Sequence, residues 1–273
     1  MKVMCFALAA AASVLLGSTQ ARCEELIVYG AGSLRAAMTA IITDFSKQSG
    51  VSIRTNFGPS GLMREKIEGG DNVDVFTSAD MGHPTKLQKD GRAGNVIMFT
   101  RNRLCAFATP DAGLTTSNFA TRLADPAVRL GTSTPAADPS GDYTWEMFRL
   151  IDKVQPGAFA VLDAKAKKVV GGSAEANPSD PDPIGSAFKR GDINVMIAYC
   201  SGTAERRRVL PDVQVIQVPA AIAVGPEYGL AILNPAKLAA ARLVFAILSP
   251  EGQATLARFG FDPVALPKGA PAR

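Results

Sequence analysis

Early in the chain, and twice over, an apolar strand pattern runs into a turn of small residues, a serine and then a helical pattern. The first instance is Leu26-Ile27-Val28-Tyr29, then Gly30-Ala31-Gly32-Ser33, then Leu34, Ala37, Met38, Ile41, Ile42 and Phe45 at helical spacing. The second alternates from Val51 to Phe57, turns through Gly58-Pro59-Ser60-Gly61 and continues as a helix from Leu62 to Ile67. Asp74-Val75-Phe76-Thr77 adds a short strand before a helix ending near Gly91. Strand alternating with helix predicts an α/β fold with mostly parallel sheets covered on both faces. A second series opens at Leu104. Strands are expected over 104–109, 128–131, 193–199 and 213–218, with helices over 143–151 and 158–169. A loop rich in Gly, Pro and Asp covers 171–183. The chain closes with a strand over 228–233 and helices over 235–248 and 250–259.

The start of the chain has a different character. Lys2 is followed by an uncharged apolar run through Leu16 and a small-residue site at Thr19-Gln20-Ala21. That pattern predicts a secretory signal peptide over residues 1–21, with a mature chain starting near Arg22. The run falls short of the roughly 20 residues a bilayer span requires. Cys23 follows Gln20-Ala21-Arg22 and lacks the small residue expected before a lipidated cysteine. Export permits disulfides, and Cys23, Cys105 and Cys200 lie beyond the signal, an odd number.

Apolar content of 47% and charged content of 20% are those of a globular protein with a full core. A net charge of +4, without a long basic run, gives no reason to expect a nucleic-acid partner. Arg206-Arg207-Arg208 is the one basic cluster, and it reads as a solvated helix face.

The two serine turns are the first candidates for chemistry. A helix N-terminus offers free N–H groups and partial positive charge, and a hydroxyl there adds a donor. Ser33 and Ser60 together can hold a small dianion without Lys or Arg; each reads equally as an ordinary N-cap. Asp138-Pro139-Ser140-Gly141-Asp142-Tyr143 is a third candidate donor loop, or a plain turn and cap. Tyr199 ends a strand, where α/β sheets present groups to ligands, or is a half-buried core tyrosine. An enzyme finds less support. His83 is the one histidine, so a Ser-His-Asp triad must use it, and no Gly-x-Ser-x-Gly elbow, P-loop or dinucleotide fingerprint is present. Asp74 and Asp80 pass for paired carboxylates, but a strand end followed by a cap explains them as well.

In order and spacing these pieces resemble the molybdate-binding family of type II periplasmic receptors. The matching stretches are 28–34, 57–62, 74–80, the strand ending at Tyr199, and the tail Leu248-Ser249-Pro250-Glu251-Gly252-Gln253 with Phe259-Gly260-Phe261. The resemblance implies two α/β lobes joined by two hinge crossovers: 22–103 plus 226–273, and 104–225. It implies that Ser33 and Ser60 bind through hydroxyl and N–H, Ser140 through its backbone N–H and Tyr199 through its phenol. A fully ionised tetrahedral dianion accepts hydrogen bonds only, so neutral donors suit it, whereas a protonated anion also needs an acceptor. One departure stands out. The loop expected to supply a last N–H reads Asp180-Pro181-Asp182-Pro183-Ile184, in which proline has no N–H and aspartate repels anions. The family topology also implies a Cys105–Cys200 disulfide that steadies Tyr199.

The function expected is therefore a periplasmic, monomeric receptor that captures molybdate, and tungstate too, without a cofactor or catalysis. It would deliver the anion to the membrane permease of an ABC importer. A same-fold receptor for sulfate or ferric ion, or an enzyme on this fold, remain the alternatives; among Tyr29, Tyr143, Tyr199 and Tyr228 no two adjoin in sequence.

Overall fold

The computed structural model describes residues 25–172, 179–235 and 237–264. The expected signal peptide and Cys23 lie outside them, as does the middle of the 171–183 loop. Among the described residues no helix is long and apolar enough to cross a membrane.

Two sheets divide the molecule. The first contains β1 (Glu25–Ala31), β2 (Ser52–Gly58), β3 (Val75–Thr77), β4 (Val96–Arg101), β10 (Glu227–Ile232) and β11 (Asp262–Pro263), in the order β11-β4-β10-β3-β1-β2. The second contains β5 (Leu104–Ala108), β6 (Leu130–Ser133), β7 (Lys167–Val170), β8 (Val195–Tyr199) and β9 (Gln214–Gln217), in the order β7-β6-β8-β5-β9. Helices α1 (Arg35–Ser49), α2 (Ser60–Glu68), α3 (Gly82–Lys89), α9 (Leu238–Leu248) and α10 (Pro250–Arg258) are contributed by the segments that build the first sheet. Helices α4 (Phe119–Ala124), α5 (Pro139–Val154), α6 (Ala158–Lys165), α7 (Pro183–Lys189) and α8 (Thr203–Val209) belong with the second. The two-lobed α/β architecture is the one the sequence implied.

Both sheets are mixed. β1 pairs in parallel with β2 and β3, while β10 runs antiparallel between β3 and β4. β6 pairs in parallel with β7 and β8, while β5 is antiparallel to β8 and β9. The antiparallel pairings arise because the chain leaves the first lobe after β4 and returns to it as β10, so each lobe has strands inserted from a crossover. Helix α1 follows the expected stripe, burying Ala37, Met38, Ile41, Ile42 and Phe45, and stops at Gly50, whose φ of 71° is left-handed. One expectation fails: 158–169 is not a single helix. α6 ends at Lys165, Ala166 turns extended, and 167–170 pairs in parallel with β6. The β-branched end of that stretch, Val169-Val170, gains more from sheet pairing than from another helical turn. Arg206 is likewise not solvated: it donates to Asp182 at 2.8 Å with its side chain 12% exposed.

Candidate functional site

The site grows from helix starts on the two lobes that face one another. Gly61, in the first turn of α2, donates its N–H to Ala137 O at 3.0 Å, joining the first lobe to the loop before α5. A Cβ at Gly61 would lie 2.5 Å from Ala136 O and 2.8 Å from Ala137 O, so only glycine permits this approach. Ala136 itself sits at φ 66°, a costly conformation for alanine, and its N–H is held by Asp142 Oδ1 at 2.9 Å.

Ser60, next to Gly61, and Ser140, three residues beyond Ala137, flank this contact. Ser60 begins α2 and is 1% exposed; its Oγ accepts from Ala79 N at 3.1 Å, which leaves its hydroxyl proton uncommitted. Ser33 lies in a short 3₁₀ turn, 32–34, between β1 and α1, with its Oγ 3.0 Å from Tyr228 Oη. Tyr228 Oη also accepts from Asn102 Nδ2 at 3.0 Å, so its own proton can go to Ser33 and free the Ser33 proton for a ligand. Tyr199 ends β8, and its ring packs edge-on against Tyr228 with centroids 5.6 Å apart. Ser140 sits in the first turn of α5, after Pro139 at its favoured first-turn place.

The buried hydroxyl of Ser140 has no hydrogen-bond partner, and that of Tyr199 makes no well-formed bond, only a contact with the Tyr228 hydroxyl, although these residues are only 3% and 6% exposed. An unsatisfied buried hydroxyl costs about 1–3 kcal/mol, so both are available to a further acceptor. Burial first, then Tyr228 and Asp138, push the Tyr199 phenol well above its usual range, so it stays a neutral donor. Burial likewise raises Tyr228.

Asp138 is the residue that sequence reasoning passed over. It is the N-cap of α5, and its Oδ1 accepts from Ser140 N at 3.1 Å. The Ser140 N–H expected to serve an anion is therefore already engaged; the hydroxyl is what stands free. The residue as a whole is half-buried, but its carboxyl is packed inward among protein atoms. That desolvation raises it to about 6, against lowering by hydrogen bonds from Ser140 N–H and Ser133, with Asp142 and Asp80 adding repulsion. Asp-Pro before a helix announced a cap, but nothing in the sequence announced the burial.

The doubtful 180–184 loop behaves structurally. Asp182 caps α7, accepting from Gly185 N at 3.1 Å, and pairs with Arg206. Pro183 brings no N–H, so Ile184 is the one first-turn donor that Asp182 does not take. Asp74 and Asp80 are structural as well. Asp74 accepts from Ile27 N and Lys237, and Asp80 from Ser78 Oγ and His83 N. His83 lies 3.9 Å from Asp80, and burial lowers its pKa. A separate 710 Å³ cavity abuts the first turn of α5, lined by Asp80, Asp142, Tyr143, Glu146, Arg149 and Glu227 among others. Four carboxylates against one arginine make it unsuited to a dianion. Among the described residues no group of three or more His, Cys, Asp or Glu is placed to hold a metal.

Cys105 and Cys200 form a disulfide. Cys105 lies in β5 opposite Ala198 of β8, with Leu104 opposite Tyr199, so the bond fixes the strand end that carries the phenol.

Two α/β lobes, each built on a mixed sheet, define a type II periplasmic-binding-protein fold. The chain belongs to the bacterial extracellular solute-binding proteins, whose family model matches residues 26–262. It is 34% identical over 240 residues to an uncharacterised protein of Pasteurella multocida, covering 86% of this chain and 98% of that one. A 71-residue stretch is 37% identical to the molybdate-binding protein of Azotobacter vinelandii, 26% of this chain and 28% of that one. The solved structure of a periplasmic molybdate-binding protein of Azotobacter vinelandii superposes with a TM-score of 0.67 at 18% identity, covering 89% of this chain and all (100%) of the other. The sulfate-binding protein of Mycobacterium tuberculosis superposes with a TM-score of 0.71 at 16% identity, covering 88% of this chain and 87% of the other.

Proposed function

We propose that this chain is the periplasmic receptor of an ABC importer and that it captures a tetrahedral oxyanion of the molybdate and tungstate type. The observation that carries the reading is the pair of buried hydroxyls on Ser140 and Tyr199, neither of which makes a well-formed hydrogen bond. With the free protons of Ser33 and Ser60 they supply neutral donors of the kind a fully ionised dianion accepts. The lobes, taken as 22–103 with 226–273 and 104–225, would close on the anion about the two crossovers. The Gly61–Ala137 hydrogen bond is the contact that closure would make. The closed form would be the signal to the permease, with no turnover required.

Two other readings fit less well. Iron capture would need tyrosines free to ligate beside carboxylate or His ligands, yet Tyr228 is committed to Ser33 and Asn102, and among the described residues no group of three or more His, Cys, Asp or Glu is placed to hold a metal. An enzyme would need a base beside a nucleophile, and His83 is held at Asp80 instead. Calorimetric titration of the purified protein with molybdate, tungstate, sulfate and phosphate tests the proposal. Tight one-to-one binding of the first two is expected, and silence from all four would overturn it.

A further inference from the structure

We propose that Asp138 makes oxyanion capture proton-linked, with one proton held between its carboxyl and the bound anion. The inference rests on the oxyanion reading above and concerns a residue that reading does not use. The donor set is not purely neutral. Asp138 places a carboxyl between Ser140, whose N–H it accepts, and Ser133 at the end of β6. Its charge also acts on both Tyr199 and Tyr228, raising the two phenols.

The elements packed around Asp138 bring acidic and neutral groups. α5 brings Asp142; the segment between β3 and α3 brings Asp80; β8 and β10 bring the neutral phenols of Tyr199 and Tyr228; β6 brings Ser133. His83 faces Asp80 and Asp142, and burial lowers its pKa. None of the groups that bear most on Asp138 is a Lys or Arg. A dianion brought beside an ionised Asp138 would thus meet uncompensated like charge in a desolvated site, which is expensive. Protonation removes the conflict and turns the carboxyl into one more donor. The oxygen facing Ser140 goes on accepting, while the other carries the proton towards the anion.

The proton must come from somewhere. Molybdate, tungstate and sulfate carry none near neutral pH, so each must draw it from solvent. Phosphate brings its own and can give it to an ionised Asp138. The free carboxyl titrates at about 6. Affinity for molybdate should therefore fall about 50-fold between about pH 6 and about pH 8, with close to one proton taken up per anion at the upper end. Affinity for phosphate should fall far less over the same range.

Calorimetry of the wild-type protein and Asp138→Asn with molybdate, tungstate, sulfate and phosphate tests this, in buffers of different ionisation enthalpy across that range. The amide keeps the cap acceptor but cannot take up a proton, so the variant's molybdate affinity should be flat with pH. Asp138→Ser, which also caps, replaces it if the amide variant does not fold. Tight wild-type molybdate binding with a flat pH profile and no proton uptake would overturn the inference alone. A pH dependence that survives in the variant would do the same. No binding of any of the four anions at any pH would overturn the oxyanion reading itself, and this inference with it.

Discussion

Removing the Tyr199 hydroxyl should weaken binding and leave stability nearly unchanged. With the lobes in contact this group is buried and makes no well-formed hydrogen bond, only a contact with the Tyr228 hydroxyl, so Tyr199→Phe deletes a desolvated polar atom and at most a weak bond. The ring keeps its edge-on contact with Tyr228 and its backbone pairing with Leu104. Without ligand the lobes are free to open and let water reach the hydroxyl, so the stability of the free protein should stay within about 1 kcal/mol of wild type, the size of one ordinary hydrogen bond. Binding should weaken, because a hydrogen bond to a charged partner contributes about 1.5–3 kcal/mol. That corresponds to a loss of roughly ten- to 150-fold in affinity. Denaturant melts of the free protein and calorimetric titration with molybdate measure the two effects separately. A variant that binds as tightly as wild type would refute the ligand-donor role. A destabilisation beyond about 2 kcal/mol would show that the hydroxyl serves the fold instead.

Other perturbations probe other joints. Gly61→Ala puts a methyl against the Ala136 and Ala137 carbonyls across the cleft, so closure should fail while each lobe stays folded. Small-angle scattering with saturating molybdate should show no compaction in that variant, and affinity at least tenfold below wild type corresponds to about 1.4 kcal/mol. Replacing Cys105 and Cys200 by serine opens a loop with a sequence separation of 95 and should cost about 2–5 kcal/mol in denaturant midpoint analysis. Asp138 is raised in the folded state to about 6 from an ordinary 3.8, so it binds more protons folded than unfolded. Its contribution to stability is thus fully present below about pH 4 and is lost as pH rises through about 6, a span on the order of 3 kcal/mol. Asp138→Asn should flatten that part of the stability–pH curve, and melts at several pH values will show whether it does.

The strand, small-residue turn, serine and helix units were legible because local spacing encodes them. Ser60 and Ser33 do stand at such turns, and Tyr199 does end its strand. Long-range convergence was not legible. Tyr199 and Tyr228 are far apart in sequence and meet because β8 and β10 belong to different sheets whose ends approach at the crossovers. Asn102 gained its place beside Tyr228 for the same reason, at the point where the chain leaves the first lobe. The strand over 167–170 was hidden because the stretch from Ala158 is continuously helix-compatible, and only pairing with β6 converts its end. Asp138 read as a cap and is one; its enclosure among the site hydroxyls is a tertiary fact with no local signature.

The most direct measurement is anomalous diffraction from a crystal of the protein grown with tungstate. One tungsten peak is expected, within about 4 Å of the hydroxyl oxygens of Ser33, Ser60, Ser140 and Tyr199, as hydrogen-bonded oxyanion geometry requires. A peak in the acidic cavity beside Arg149, or none at full occupancy of the crystal solvent, would contradict the oxyanion site.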